Sequence, residues 1–176
     1  MPRPRDVLCD RPTILFVGIN PGATSGRVGH HFAGPGNPFW KLLYAARLTS
    51  RELTALEDQQ LCEHGHALVN LCTRTTATAA ELTRAELARG RTRLLATVER
   101  LRPQVVALVG VTLYPIVAGA AAARATPGPG PKPERVSGAR LFVVPNPSGL
   151  NATFPTFAAK LPWFQQLHSF AGGAQS

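Results

Sequence analysis

The chain is poor in the groups that tie a fold together by covalent or metal links. Its 176 residues hold three cysteines, Cys9, Cys62 and Cys72, odd in number and widely spaced. They form no Cys-x-x-Cys pair and cannot supply the four thiolates of a usual iron–sulfur cluster. The five histidines include no His-Glu-x-x-His motif, so no metal site is expected. This cysteine usage fits reduced thiols in a reducing compartment. No apolar run is long enough to cross a membrane. Met1 to Asp6 leads into nothing that resembles a signal peptide. A cytosolic protein without membrane contact is therefore expected. Acidic residues are scarce as well: 10 Asp+Glu stand against 19 Lys+Arg, a net charge of +9. Only Lys41, Lys132 and Lys160 are lysines, so the excess is arginine. Such a balance favours polyanionic partners, although GC-rich coding also raises arginine. Neither a Walker loop nor Gly-x-Gly-x-x-Gly occurs at the first turn, which argues against a nucleotide-binding enzyme.

What is present is an ordinary hydrophobic fraction of 44% and a length suited to one domain, residues 1–176. Thr13 to Val17 is an unbroken, β-branched-rich apolar run, followed at once by Gly18-Ile19-Asn20-Pro21-Gly22. The run reads as a strand buried on both faces. Pro21 fixes its own φ and pushes Asn20 toward an extended conformation, while Gly22 permits a tight turn. The bend thus holds Asn20 still at the carboxyl end of a strand, where open α/β sheets bind ligands. From these five residues alone, a turn without chemistry is an equal reading.

Further along, Ala23 to Phe32 reads as a loop, and Gly34-Pro35-Gly36-Asn37-Pro38 as a turn into a helix. Asn37 is placed to cap that helix, with Pro38 as its first residue. Thr49-Ser50-Arg51-Glu52 forms a capping box for a second helix over about 50–62. A second strand is expected over Ala67 to Leu71, leaving through the polar loop Cys72 to Thr76. Thr83-Arg84-Ala85-Glu86 opens a long helix that Pro103 stops. The arginines of that helix read mainly as a solvated face. Val105 to Val109 is a third strand, followed by a short Ala-rich helix, and Leu141 to Val144 is a fourth. Between them, Thr126 to Ser137 is too rich in Pro and Gly for a regular element and reads as a surface loop. A last helix spans about 155–170, and Ala171 to Ser176 reads as a frayed end. Alternating strands and helices predict a three-layer α/β/α sandwich with a central, mainly parallel four-stranded sheet. The loops after strands one, two and four then open on one edge and form one site.

Two of these loops are Asn-Pro bends that end buried strands. Asn20-Pro21-Gly22 and Asn146-Pro147-Ser148-Gly149 together resemble the signature motifs of the uracil–DNA glycosylase superfamily, and more narrowly its mismatch-specific uracil and thymine branch. The run from His30 to Lys41, the loop Asn70 to Thr76 and the segment Pro145 to Pro155 extend the resemblance over about residues 13–160. It implies hydrolysis of the N-glycosidic bond of a uracil, or a related base, flipped from a duplex. Asn20 matches the water-positioning asparagine; some families carry a carboxylate there. Backbone groups at Ile19 and Gly22 match contacts to the pyrimidine. Phe32 matches the aromatic residue that stacks on the flipped base, with His31 beside it. Asn70 matches a position that touches the pyrimidine edge. Ser25 matches the uracil-preferring residue near C5, where the thymine branch has Ala, and Thr76 faces the same side. Asn146, Pro147, Ser148, Gly149, Leu150 and Asn151 match the insertion loop, with Leu150 as the wedge. The chain departs from the best-known bacterial pattern at Asn151-Ala152, where that pattern has Ser-Arg.

The resemblance implies a monomeric enzyme without metal or nucleotide cofactor, and a monofunctional one, since the family pattern holds no positioned lysine nucleophile for lyase activity. Its expected partner is double-stranded DNA with G·U or similar mismatches. The alternative is a catalytically weak module of the same fold that binds mismatches or lesions.

Overall fold

The apolar runs become strands of one sheet. In the computed structural model, which describes residues 3–172, β1 (Ile14–Gly18) is buried along its whole length. It pairs in parallel with β2 (His66–Asn70) on one side and with β3 (Val105–Val109) on the other. β5 (Ala139–Val144) adds to β3, again in parallel. Strands with alternate side chains buried on both faces need helices on both faces. Phe16, Leu68, Ala107 and Phe142 face one side, under α2 (Phe39–Ala45) and α6 (Phe157–Gly172). Leu15, Val69, Leu108 and Val143 face the other, under α3 (Arg84–Leu101) and α4 (Leu113–Ala118). The three-layer sandwich is as expected.

The sheet has five strands, not four. Gly130–Val136 is β4, antiparallel to β5 at the sheet edge, in the order β2-β1-β3-β5-β4. Proline lacks a ladder donor and survives only on such an edge; Pro131 and Pro133 are exposed here. The segment is pinned from within. The Lys132 ammonium donates to the carbonyls of Thr126 and Gly128, both at 2.6 Å, and lies 4.6 Å from the centre of the Tyr114 ring. The Tyr114 hydroxyl in turn bonds Glu134. At the opposite edge Val7 bridges Leu68 of β2.

Other boundaries differ from the sequence reading for local reasons. Ala23–Val28 is a short helix, α1, that starts directly after Gly22 and ends at Gly29, φ +78°. The Thr49 hydroxyl donates to the Arg51 carbonyl, 2.8 Å, instead of capping a helix, and Leu53 is buried in the core, so the helix starts later. It is a 3-10 helix over Ala55–His64, with Thr54 and Glu57 as its capping box. The box at Thr83 and Glu86 does cap α3. Between α4 and β4 lies α5 (Ala120–Ala125). Ala171 and Gly172 belong to α6 rather than to a frayed end; residues 173–176 lie outside the described residues.

Candidate active site

β1, β2, β3 and β5 run in parallel, so the loops that leave them meet at one edge. Backbone hydrogen bonds zip the first two together. The N–H groups of Leu71, Cys72 and Thr76 donate to the carbonyls of Gly18, Ile19 and Pro21 at 2.8, 2.8 and 3.1 Å. Between these loops, the turn at Phe32 and the segment after β5 lies a cleft of about 430 Å³, within the range of small-ligand sites. Asn20, Ser25, Phe32, Asn70, Thr76, Asn146 and Leu150 all line it. Ile19, Gly22, His31 and Ser148 line it too. Residues from four separate stretches of sequence are thus brought to one cleft.

Asn20 is held by its nitrogen. Nδ2 donates to the Arg74 carbonyl at 2.9 Å and to Thr76 Oγ1 at 2.7 Å. A donor is required against a carbonyl, so the amide cannot flip, and Oδ1 is left as an acceptor without a bond among the described residues. Thr76 is itself fixed, because its hydroxyl donates to the Thr78 carbonyl, 2.7 Å. The Arg74 end is fixed by a two-pronged pair to Glu86, Nε–Oε1 2.6 Å and a second bond of 3.0 Å. Hydrogen bonding from Arg74 pulls the Glu86 carboxyl down to about 2. The sequence reading put Thr76 at the pyrimidine and gave Arg74 no partner; neither clamp on Asn20 is visible over separations of 54 and 56 residues.

Asn70 has the opposite character. Its side chain makes no hydrogen bond among the described residues, yet it lines the cleft and is only half exposed. It lies so close to β1 that a Cβ at Gly18 would come 2.6 Å from its Oδ1. Gly18 therefore opens the space in which the Asn70 amide stands, with both its donor and its acceptor available.

Phe32 stacks on Phe39, centroids 4.0 Å apart and planes 24° from parallel. Its φ of +50° is unusual for a bulky residue; such a conformation costs on the order of 1–3 kcal/mol and persists only where the surroundings enforce it. Ser25, almost buried, accepts the next N–H, that of Ala33, at 3.0 Å. Its oxygen thus shapes the turn at Phe32 as well as lining the cleft. His31 also borders the cleft, but its Nε2 donates inward to the Arg5 carbonyl, 2.8 Å. Burial holds this imidazole below the ordinary histidine value, against the opposing pull of the Arg5 carbonyl and Asp58. It is a neutral ring anchored to the protein's own backbone.

The segment after β5 is stitched by its own polar groups. Asn146 Oδ1 accepts from the Ser148 N–H (3.0 Å), and Asn151 Nδ2 donates back to the Asn146 carbonyl (3.0 Å). Ser148 Oγ accepts from the Leu150 N–H at 3.2 Å, and Pro147 is buried beneath. At the tip of this hydrogen-bonded loop, with Gly149 before it, Leu150 is 94% exposed. It is not a core plug. No lysine, arginine or carboxylate lines the cleft, and residues 145–156 carry no charge at all.

Comparison with known proteins agrees with this geometry. Residues 5–168 match the family model of the Uracil DNA glycosylase superfamily. The chain belongs to that superfamily. Over 102 residues it is 42% identical to a protein of Schizosaccharomyces pombe named G/U mismatch-specific uracil DNA glycosylase. That alignment takes in 57% of this chain and 31% of the relative, so the chain spans about a third of that protein's length. Uracil-DNA glycosylase superfamily membership accounts for the sandwich and for the convergence of the Asn20 and Asn146 loops on one edge. Among the described residues no group of three His, Cys, Asp or Glu is placed to hold a metal ion.

Proposed function

We propose that the protein is a monofunctional DNA glycosylase. It hydrolyses the bond between N1 of uracil and C1′ of the deoxyribose, with the base flipped from a mismatched duplex. The observation that carries this reading is the clamped Asn20 amide, which offers Oδ1, and only Oδ1, to a water at the cleft. As the C1′–N1 bond breaks, its electron pair leaves with the pyrimidine and positive charge builds on the sugar. The water oxygen bonds to C1′, and its proton ends on the departing base. Asn20 is a neutral amide and a weak base, so its contribution is to fix the water in line. The Asn70 amide supports a pyrimidine edge, which presents both donors and acceptors. Phe32 supplies a face for stacking, worth roughly 1–3 kcal/mol per base. Leu150 is set to fill the gap that the flipped nucleotide leaves. The name of the yeast relative favours G·U pairs as the substrate. The reading also implies a monomer that works beside the chromosome in the cytosol.

The test is single-turnover release of free base from G·U, A·U, G·T and single-stranded substrates. Uracil release from G·U is expected, and Asn20→Ala should slow it by about a thousandfold or more while DNA binding persists. Duplex binding without release above the Asn20→Ala background would instead indicate a binding module.

A further inference from the structure

The strained turn at Phe32 is tied through three polar groups of the flanking backbone. The His31 carbonyl accepts from Trp40 Nε1 at 3.1 Å, and the Ala33 N–H donates to Ser25 Oγ at 3.0 Å. The third tie is unlike these. The His31 N–H donates to Oδ2 of Asp58, 2.9 Å, from the 3-10 helix 27 residues further on. Asp58 is 1% exposed. Its other oxygen meets His30 Nδ1 at 3.2 Å. A buried carboxylate is costly unless paired and hydrogen-bonded. Here both of its oxygens are turned to two consecutive residues, His30 and His31, that lead directly into Phe32.

We propose that Asp58 is a positioning residue for the base-stacking ring. It acts through the His30-His31 turn to hold Phe32 in its left-handed conformation, parallel to Phe39, and so sets the slot into which the pyrimidine slides. The inference rests on the glycosylase reading for its kinetic consequence but not for its structural one. A carboxylate is the group for the task because it accepts from an amide and an imidazole at once. An asparagine can reproduce that shape, with Oδ1 toward the His31 N–H and its NH₂ toward His30 Nδ1. A glutamate keeps the charge but carries its oxygens a methylene too far.

The experiment compares Asp58→Asn, Asp58→Glu and Asp58→Ala with the unmodified protein, in single-turnover cleavage of G·U duplex at saturating enzyme. Backbone amide exchange at His31 and Ala33 is followed in parallel. Asp58→Ala and Asp58→Glu should slow the saturated rate between about tenfold and a hundredfold, whereas Asp58→Asn should restore most of it. In a Phe32→Ala background, Asp58→Glu should cause no further slowing. Should Asp58→Ala fail to fold, the Asn and Glu pair still decides. Equal slowing by Asp58→Glu with and without the Phe32 ring would overturn the proposal, since a mere fold support acts in both backgrounds. So would amide exchange at His31 and Ala33 that Asp58→Glu leaves unchanged. If the unmodified protein releases no uracil, the glycosylase reading falls, and amide exchange alone judges Asp58.

Discussion

Thr76→Val separates the clamp on Asn20 from Asn20 itself. Valine matches threonine in shape, and the site is almost buried, so the substitution removes one hydroxyl and little else. Two short hydrogen bonds go with it, the 2.7 Å bond from Asn20 Nδ2 and the 2.7 Å bond to the Thr78 carbonyl. Asn20 keeps the Arg74 carbonyl at 2.9 Å and a longer contact to the Pro21 carbonyl at 3.3 Å, but loses the shortest of its three fixed points, so its amide is held less firmly. A lost hydrogen bond of this type is worth about 0.5–1.5 kcal/mol, and a buried group left unpaired about 1–3 kcal/mol. If about 1.5–3 kcal/mol of that appears in the transition state, cleavage slows between roughly tenfold and a hundredfold. The assay is single-turnover cleavage of G·U duplex with enzyme in excess. Thr76→Ser retains both bonds and should stay near the unmodified rate, and Thr76→Val should add nothing to Asn20→Ala. A Thr76→Val rate within about twofold of the original would refute the clamp.

Three further outcomes are expected. Leu150→Ala should weaken binding to the abasic product and slow cleavage of a paired duplex more than of an already unpaired target. Its melting temperature should stay within about a degree or two, because an exposed leucine lacks the 2–5 kcal/mol that truncating a buried one costs; a large drop would refute the wedge. Unmodified protein should cut G·U ahead of G·T by about 1–3 kcal/mol of discrimination, and Ser25→Ala should narrow that gap. It should also slow G·U itself, since the Ala33 N–H loses its acceptor; equal rates on both substrates before mutation would sink the idea. His66, whose Nε2 donates to the Leu48 carbonyl, is held by burial down to about 4. The unfolded chain takes up that proton near pH 6.5 and the folded chain resists it until about pH 4, so stability falls as pH drops through this window. The loss approaches about 3 kcal/mol. His66→Gln, whose amide can still donate to Leu48, should flatten the slope in urea unfolding at pH 7, 5 and 4; parallel slopes would refute the assignment.

Features written in contiguous residues were legible in the sequence, and features written in long-range pairs were not. β1, β2, β3 and β5 announce themselves because a strand buried on both faces is a continuous apolar run. The α3 cap reads from four adjacent residues. β4 hides because Pro131 and Pro133 are turn residues in any local reading, and only the pairing with β5 and the Lys132 anchor make a strand of them. The box at Thr49 misleads because the burial of Leu53, a tertiary effect, moves the helix start. In the cleft, residue types were legible through the family motifs, while their couplings were not. Nothing near Thr76 in sequence indicates that its hydroxyl orients Asn20, and nothing near Phe32 points to Asp58.

The absence of charge from the cleft and from residues 145–156 divides the protein's work in two. Its excess of +9 resides elsewhere on the molecule, so on the glycosylase reading the long-range attraction to DNA and the local contacts to an extracted base belong to different surfaces. Dissolved ions screen the first over about 10 Å at 0.1 M, and because the protein must displace counterions from the backbone it engages, that attraction weakens as salt rises; ions have little to act on in the second. Raising the salt concentration should therefore thin out encounters and shorten sliding along the duplex, while the rate of bond breakage in an assembled complex stays nearly level. Search and chemistry are then adjustable independently: replacing exposed arginines such as Arg84, Arg89 or Arg100 should alter the first and leave the neutral cleft as it is.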